Sequence, residues 1–330
     1  MKIVRFASFG VPHEVSECVE VNDVGAPAAD EVVIEIEAFP INPADLLTIQ
    51  GRYAVRPALP ATLGAEGVGR IAAAGRNVSQ VAVGDRVIHL GRDNWTQKRK
   101  VKADQVIKVP DTGDVLQLAM LKVNPATALL MLRTYVDLKP GDWLIQNAAN
   151  SGVGNNLIRL AKAEGIRTVN VVRREPLIEP LKAIGADVVV VDDRDLAARV
   201  RQETDRAEIK LAIDAVAGEA CTRLADCLAD GGTVVNYGLL SGKPCMLTGH
   251  QTIFRSITLT GFWLAKFLTT APPDQVEAVY RDLLQRIGDG SLHVEVEATY
   301  GIEDIKDALA HADRDGRSGK ILVTPNGPVA

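Results

Sequence analysis

Two stretches of this chain hold residues whose types and spacing suit phosphate chemistry. From Trp143 to Ala161 the chain passes through a short apolar run, Trp143 to Ile145, and a turn of small residues, Ala148 to Gly154. A segment of helical period follows, with Leu157, Ile158, Leu160 and Ala161 as its apolar positions. Strand, tight turn and helix in this order can seat a dinucleotide pyrophosphate. The helix N-terminus offers free N–H groups and the positive end of its dipole. The Gly-x-Gly-x-x-Gly fingerprint is degenerate: it reads Ala149-Asn150-Ser151-Gly152-Val153-Gly154, with the third glycine kept. Small residues still admit a phosphate to the backbone, and the Ser151 hydroxyl adds a hydrogen-bonding group. A glycine-rich structural turn opening a buried helix fits the same residues.

The second stretch follows at the spacing a dinucleotide unit requires. Thr168-Val-Asn-Val-Val172 reads as a strand and ends in Arg173-Arg174. An NAD site places Asp or Glu there, to hold the ribose hydroxyls. Two guanidinium groups instead suit a 2′-phosphate, and so NADPH. A solvated charged loop is the alternative.

Composition narrows the class. The chain has 330 residues, 47% hydrophobic and 24% charged, enough for two domains with ordinary cores. Aromatics are 4% while Val, Ala, Leu and Ile abound, which suits buried parallel strands. A net charge of −5 gives no electrostatic case for nucleic acid or an anionic membrane. No apolar run reaches membrane-spanning length. Cys18, Cys221, Cys227 and Cys245 lack metal-ligand or disulfide-framework spacing and read as reduced core residues. With a strand-like Lys2-Ile-Val-Arg-Phe6 at the start and no signal or transit pattern, the expected location is the cytoplasm.

The elements that must position these residues read as follows. Residues 1 to about 122 are β-rich, with Val32 to Glu37, Gly67 to Ala72 and Asp85 to His89 as short strands between Gly and Asp turns. Asn42 and Pro43 look like a helix start that Gly51 ends, leaving Tyr53 in a loop. Asn124 to Tyr135 is helical. Strands at Trp143, Thr168, Val188 to Val191, Leu211 to Asp214, Thr233 to Gly238 and Ile257 to Phe262 alternate with helical stretches. Six such strands imply an α/β fold with a doubly wound parallel sheet. A helix from Gln275 to Ile287, a strand from Val294 to Ala298, a helix from Ile302 to Ala312 and a strand from Lys320 to Val323 lack a core of their own. They are expected to rejoin the first domain.

This organisation resembles the medium-chain dehydrogenase/reductase superfamily over essentially the whole chain. The resemblance is carried by Asn42-Pro-Ala-Asp45, Leu63-Gly-Ala-Glu-Gly-Val-Gly69, Val83-Gly-Asp-Arg-Val87 and Ala148 to Gly154. It implies a β-rich GroES-like catalytic domain, residues 1–122 and 268–330, and a six-stranded Rossmann NADP-binding domain, residues 123–267. Zinc-dependent members carry Cys near the place of Asn42, His within a Gly-His-Glu motif and a lobe of four cysteines. Here Asn42 and Ala65 fill the first two places and the lobe is absent, which implies a zinc-independent enzyme with no metal.

Two zinc-free branches remain, the quinone oxidoreductases and the 2-enoyl thioester reductases. Gln146 to Gly154, Asn170-Val-Val-Arg173 and Gly261-Phe-Trp-Leu264 resemble the enoyl reductase segments, while Ala65 and Leu239-Leu240 depart from the usual pattern. The resemblance implies NADPH-dependent reduction of a trans-2-enoyl thioester, with NADPH:quinone reduction as the alternative. A nucleotide-binding sensor without efficient catalysis fits the same binding residues. Tyr53 is the implied proton or hydrogen-bond donor, since a phenol keeps its proton at neutral pH; a pocket-lining Tyr53 with water as the acid is the alternative. Asn42 is a nearby candidate donor or a helix cap.

For the cofactor the implied contacts are Asn150, Ser151, Gly152, Val153 and Gly154 at the pyrophosphate and Arg173 and Arg174 at the 2′-phosphate. Tyr237, Gly238, Leu239, Leu240, Phe262, Trp263 and Leu264 flank the nicotinamide half, and Lys320 reaches in from the tail. Trp263 also lines the acyl pocket, or is a core residue of the last strand. The implied partners are a small-molecule or carrier-bound acyl substrate and a second copy of the chain. That homodimer would form through the edge strand near Ile257 to Gly261.

Overall fold

In the computed structural model, which describes residues 1–329, the chain divides into two units: residues 1–123 with the segment from Pro273 onward, and Asn124–Pro272. The first unit opens with β1 (Lys2–Phe6), α1 (Pro12–Val15), β2 (Ser16–Glu20), β3 (Glu31–Pro40), α2 (Pro43–Ile49) and β4 (Ala61–Thr62). It continues with β5 (Val68–Ala74), β6 (Arg86–His89), β7 (Lys98–Lys102), β8 (Val106–Lys108) and α3 (Val115–Ala119). β3 is the spine of this unit. It pairs antiparallel with β5 and with β7, and its Val32, Ile34 and Ile36 lie in the main apolar cluster with Phe6, Phe39 and Trp95. Gly69 faces β3 because a Cβ there would come within 2.2 Å of the Glu35 carbonyl oxygen.

The second unit holds α4 (Asn124–Thr134), β9 (Trp143–Gln146), α5 (Gly152–Ala163), β10 (Arg167–Val172), α6 (Ile178–Ala183), β11 (Val188–Val191), α7 (Leu196–Glu203) and β12 (Ile209–Asp214). Then come α8 (Gly218–Cys227), β13 (Thr233–Asn236), β14 (Thr258–Gly261) and α9 (Leu264–Thr270). Its six strands run parallel in the order β11-β10-β9-β12-β13-β14. Strand order turns back at β9, so the ends of β9 and β12 flank the crevice where such sheets bind ligands. The doubly wound six-stranded sheet is as expected from the alternating pattern. Helices on both faces make the strands near-continuous apolar runs, as in the Val188–Val191 tetrad.

The chain then returns to the first unit as α10 (Pro273–Gly288), β15 (Val296–Tyr300), α11 (Ile305–Ala312) and β16 (Lys320–Val323). β16 pairs antiparallel with the end of β3, and β15 pairs parallel with β16. Ile305, Ala308, Leu309 and Ala312 put one face of α11 into the first unit's core. The strand expected at Val294 starts two residues later. The Val294 backbone is taken instead by the Gln117 side chain, which accepts from its N–H at 2.8 Å and donates to its carbonyl at 2.9 Å. Among the described residues no helix is long and apolar enough to cross a membrane.

Candidate functional site

In the second unit the turn between β9 and α5 is built to keep its backbone open. Ser151 caps α5: its hydroxyl accepts from the Gly154 N–H at 3.1 Å, so the side chain serves the helix end as well as lining the turn. Gly154 is required sterically, because a Cβ there would lie 2.4 Å from the Ala149 carbonyl oxygen. Ala148 holds φ at +47°, a left-handed conformation where the tight turn leaves the strand. Gln146 fastens the turn to the sheet: its amide donates to the Gly154 carbonyl at 3.1 Å and to Asn170 Oδ1 at 2.8 Å. Asn150 is exposed, Ser151 and Gly152 are half-buried, and Val153 and Gly154 are buried. Arg173 and Arg174 directly follow β10 and are exposed.

Asp214, at the C-terminal end of β12, organises the neighbouring turns and was not singled out from sequence. Its fully buried carboxylate accepts from Asn147 Nδ2 at 2.6 Å, from the Val216 and Ala217 N–H groups at 3.0 Å, and from Asn236 Nδ2 at 2.8 Å. This pins Ala217 at φ +64° and, through Asn147 and Asn236, joins the ends of β9, β12 and β13. The available signal was an acidic residue ending an otherwise apolar strand. Tyr237 to Leu240 forms a turn whose backbone bonds back to Asp214 and Ala215. A Cβ on Gly238 would meet the Ala215 carbonyl at 2.6 Å. The Tyr237 hydroxyl is buried beside Ser151, and burial pushes its acidity down. Leu239 and Leu240 are exposed. Phe262 is half-buried, Leu264 is buried, and Trp263 is 44% exposed, so Trp263 is not a core residue.

In the first unit the structure draws Asn42, Asp45, Glu66, Lys122 and Lys320 into one buried polar cluster. Asn42 caps α2, and its N–H donates to Asp45 Oδ2 at 3.0 Å, while Asp45 Oδ1 takes the Ala65 N–H at 3.2 Å. The Asn42 amide donates to Glu66 Oε1 at 2.8 Å and accepts from the Lys320 ammonium, which also bonds the Ile41 carbonyl. Lys122 donates to the carbonyls of Ala65 and Gly91, both at 2.6 Å. Two buried carboxylates thus stand among two buried ammonium groups. Burial pushes Asp45 up to about 6 and raises Glu66, and it lowers Lys122 and Lys320 to about 8 each.

Within this cluster the Asn42 side-chain oxygen is held by Lys320 and one of its amide protons by Glu66, and the Lys320 ammonium is buried against Ile41 and Asn42. Glu66 and Lys122, which complete the cluster, were not singled out from sequence, since burial of charge is not visible in a linear pattern. Tyr53 lies past α2 and is half-buried, with the Arg92 guanidinium 5.7 Å from its ring centroid.

Known proteins match this arrangement. The alcohol dehydrogenase GroES-like domain family matches residues 28–111, and the zinc-binding dehydrogenase family matches residues 152–287. The human mitochondrial enoyl-[acyl-carrier-protein] reductase is 34% identical over 330 residues, spanning 97% of this chain and 88% of the human one. The structure of Etr1p with NADP and crotonyl-CoA superposes with a TM-score of 0.87 at 27% identity, covering 98% of this chain and 99% of that one. The Escherichia coli quinone oxidoreductase complexed with NADPH superposes at 0.89 with 25% identity, covering 98% and 100%. The curated relatives are named mitochondrial, which overturns the cytoplasmic expectation. Reduced cysteines and an acidic balance fit either compartment, so composition could not separate them.

Proposed function

This chain belongs to the medium-chain dehydrogenase/reductase superfamily, in its enoyl thioester reductase branch, and on that premise we propose that it reduces the C=C bond of a trans-2-enoyl thioester with NADPH. The observation that carries this reading is the match to enoyl reductases along nearly the full chain, together with a fingerprint turn that closes only with glycine at 154. Bound NADPH supplies a hydride for the β-carbon of the substrate. The α5 N-terminus, with Asn150 to Gly154, holds the pyrophosphate, and Arg173 and Arg174 hold the 2′-phosphate. The Tyr237–Leu240 turn and Phe262–Leu264 bind the nicotinamide half, and Trp263 borders the acyl chain.

Negative charge develops on the thioester oxygen as the β-carbon is reduced. Tyr53 donates a hydrogen bond to that oxygen or a proton to the α-carbon. The buried cluster of Asn42, Asp45, Glu66, Lys122 and Lys320 fixes the start of α2, the helix that leads into the Tyr53 loop. We read the reaction as zinc-independent: Asn42 and Ala65 offer neither thiolate nor imidazole, and the Asn42 amide is committed to Glu66 and Lys320. A homodimer through β14 is supported by that strand's position at the sheet edge and by the exposure of Leu259; light scattering tests it.

Quinone reduction is the second reading, favoured by the superposition on the E. coli quinone oxidoreductase. It needs a hydride path and a planar pocket but no acid at the Tyr53 position. Tyr53→Phe therefore separates the two. The enoyl reading expects a loss of roughly 10²–10⁴-fold in crotonyl-CoA reduction with quinone reduction intact. Equal crotonyl-CoA rates in both proteins would remove Tyr53 from the chemistry.

A further inference from the structure

Cys221 sits in the first turn of α8 and Cys245 lies in the segment that follows the Tyr237–Leu240 turn. Their sulfurs are 3.1 Å apart. The backbone brings them together independently of the side chains: Gly218 and Cys245 form a parallel β-bridge, and the Gly218 N–H bonds to the Pro244 carbonyl at 3.1 Å. Asp214 lies against the same pair, with Cys245 Sγ 3.5 Å from Oδ2.

Three ligand atoms this close raise the question of a metal. The distances argue against one. Two thiolates on a tetrahedral metal with bonds of about 2.3 Å stand about 3.8 Å apart, wider than the sulfurs here. The Asp214 carboxylate is also already occupied by Asn147, Val216, Ala217 and Asn236. A disulfide needs the sulfurs at about 2.05 Å, an approach of about 1 Å within side-chain reach.

We propose that Cys221 and Cys245 are a redox-active dithiol that closes to an intramolecular disulfide when the protein meets a hydroperoxide. Cys245 is half-exposed and Cys221 is fully buried, which sets the order of events. The Cys245 thiolate attacks the outer peroxide oxygen, the O–O bond breaks, and the released alkoxide or hydroxide takes up the thiol proton. Cys245 is left as a sulfenic acid. The Cys221 sulfur then attacks the Cys245 sulfur, the S–O bond breaks, and hydroxide leaves as water with the Cys221 proton. In sum, two thiols and one hydroperoxide give one disulfide, one alcohol (water when the oxidant is hydrogen peroxide) and one water. Burial raises both thiols, so the rate climbs with pH as thiolate is formed. The bond joins residues 24 apart and encloses β13 and the Tyr237–Leu240 turn.

The test treats the intact protein with hydrogen peroxide, then alkylates it and maps its peptides by mass spectrometry. The expected result is one Cys221–Cys245 linked peptide pair at −2 Da, a fall from four titratable thiols to two, and full recovery with dithiothreitol. In Cys221→Ser the linkage is absent and Cys245 is trapped by dimedone as a sulfenic acid. Dimedone capture at Cys245 in the wild type without any linkage overturns the proposal, as does retention of four thiols at a peroxide dose that oxidises Cys221→Ser. These readouts do not depend on catalysis, so they stand or fall apart from the enoyl reductase reading.

Discussion

Lys320 and Asn42 lie 278 residues apart in sequence, yet the lysine ammonium donates to the asparagine side-chain oxygen in the interior of the first unit. The bond closes the returning tail onto the start of α2, and through Asn42 it brings a cation to Glu66. Lys320→Met leaves Glu66 buried with less compensating charge and should cost about 3 kcal/mol of stability. The pH dependence has a definite sign. Burial lowers Lys320 to about 8 from 10.5, so between those values the unfolded chain binds more protons than the folded one. Stability from this group therefore rises with pH across that window. Lys122 has the same sign. Urea unfolding at pH 8 and pH 10 should show a gain in the wild type that is reduced, but not abolished, in Lys320→Met.

His89 sets the acid side. Asn94 Nδ2 donates to the Gly64 and Gly91 carbonyls, so Asn94 Oδ1 is the acceptor for a proton on His89 Nδ1, 2.8 Å away. Burial lowers His89 to about 4 from 6.5. Below 6.5 the unfolded chain takes up a proton that the folded chain refuses, so stability falls as pH drops through this window, by about 3 kcal/mol in full. His89→Gln removes that titration, and its unfolding free energy should change less between pH 6.5 and pH 4.5 than that of the wild type.

Gly154→Ala tests the fingerprint turn. The added methyl meets the Ala149 backbone, which has no rotamer by which to move aside. A destabilisation of about 1–3 kcal/mol is expected, with weakened NADPH binding as the turn shifts. Gly152→Ala is the control, since its Cβ meets the Asn124 side chain instead. Calorimetry and NADPH fluorescence titration should rank Gly154→Ala clearly below Gly152→Ala.

The arginine pair after β10 should decide cofactor preference. A charge-assisted bond to a phosphate contributes about 1.5–3 kcal/mol, so Arg173→Ala or Arg174→Ala should raise the KM for NADPH by roughly 10–100-fold. The KM for NADH should not change, because NADH has no 2′-phosphate. An equal rise for both cofactors would place the arginines in a structural role.

Much of the second unit was legible because buried parallel strands write themselves as apolar runs between helical stretches. Val188 to Val191 and the β9–α5 turn needed no tertiary information. The strand expected to run to Gly238 ends at Asn236 because the Tyr237 N–H turns back to the Asp214 carbonyl, a contact across strands. The first unit's site was less legible for the same reason. Asn42 looks like a helix cap in sequence, and it is one, but Glu66 and Lys320 come from distant elements. Which polar side chains are buried together depends on the closing of the sheet at β16, not on local pattern. Asp214 was hidden because a single acid at a strand end is common, and its four nitrogen donors, on Asn147, Val216, Ala217 and Asn236, come from three separate segments.

NADPH-dependent enoyl thioester reduction is read straight from initial rates of NADPH oxidation. Wild-type protein is given crotonyl-CoA and a naphthoquinone side by side, with NADH as the cofactor control. Crotonyl-CoA should be turned over to the saturated thioester, with NADPH strongly preferred over NADH. Turnover of the quinone alone, with crotonyl-CoA untouched, would contradict it and leave Tyr53 a pocket residue of a quinone oxidoreductase.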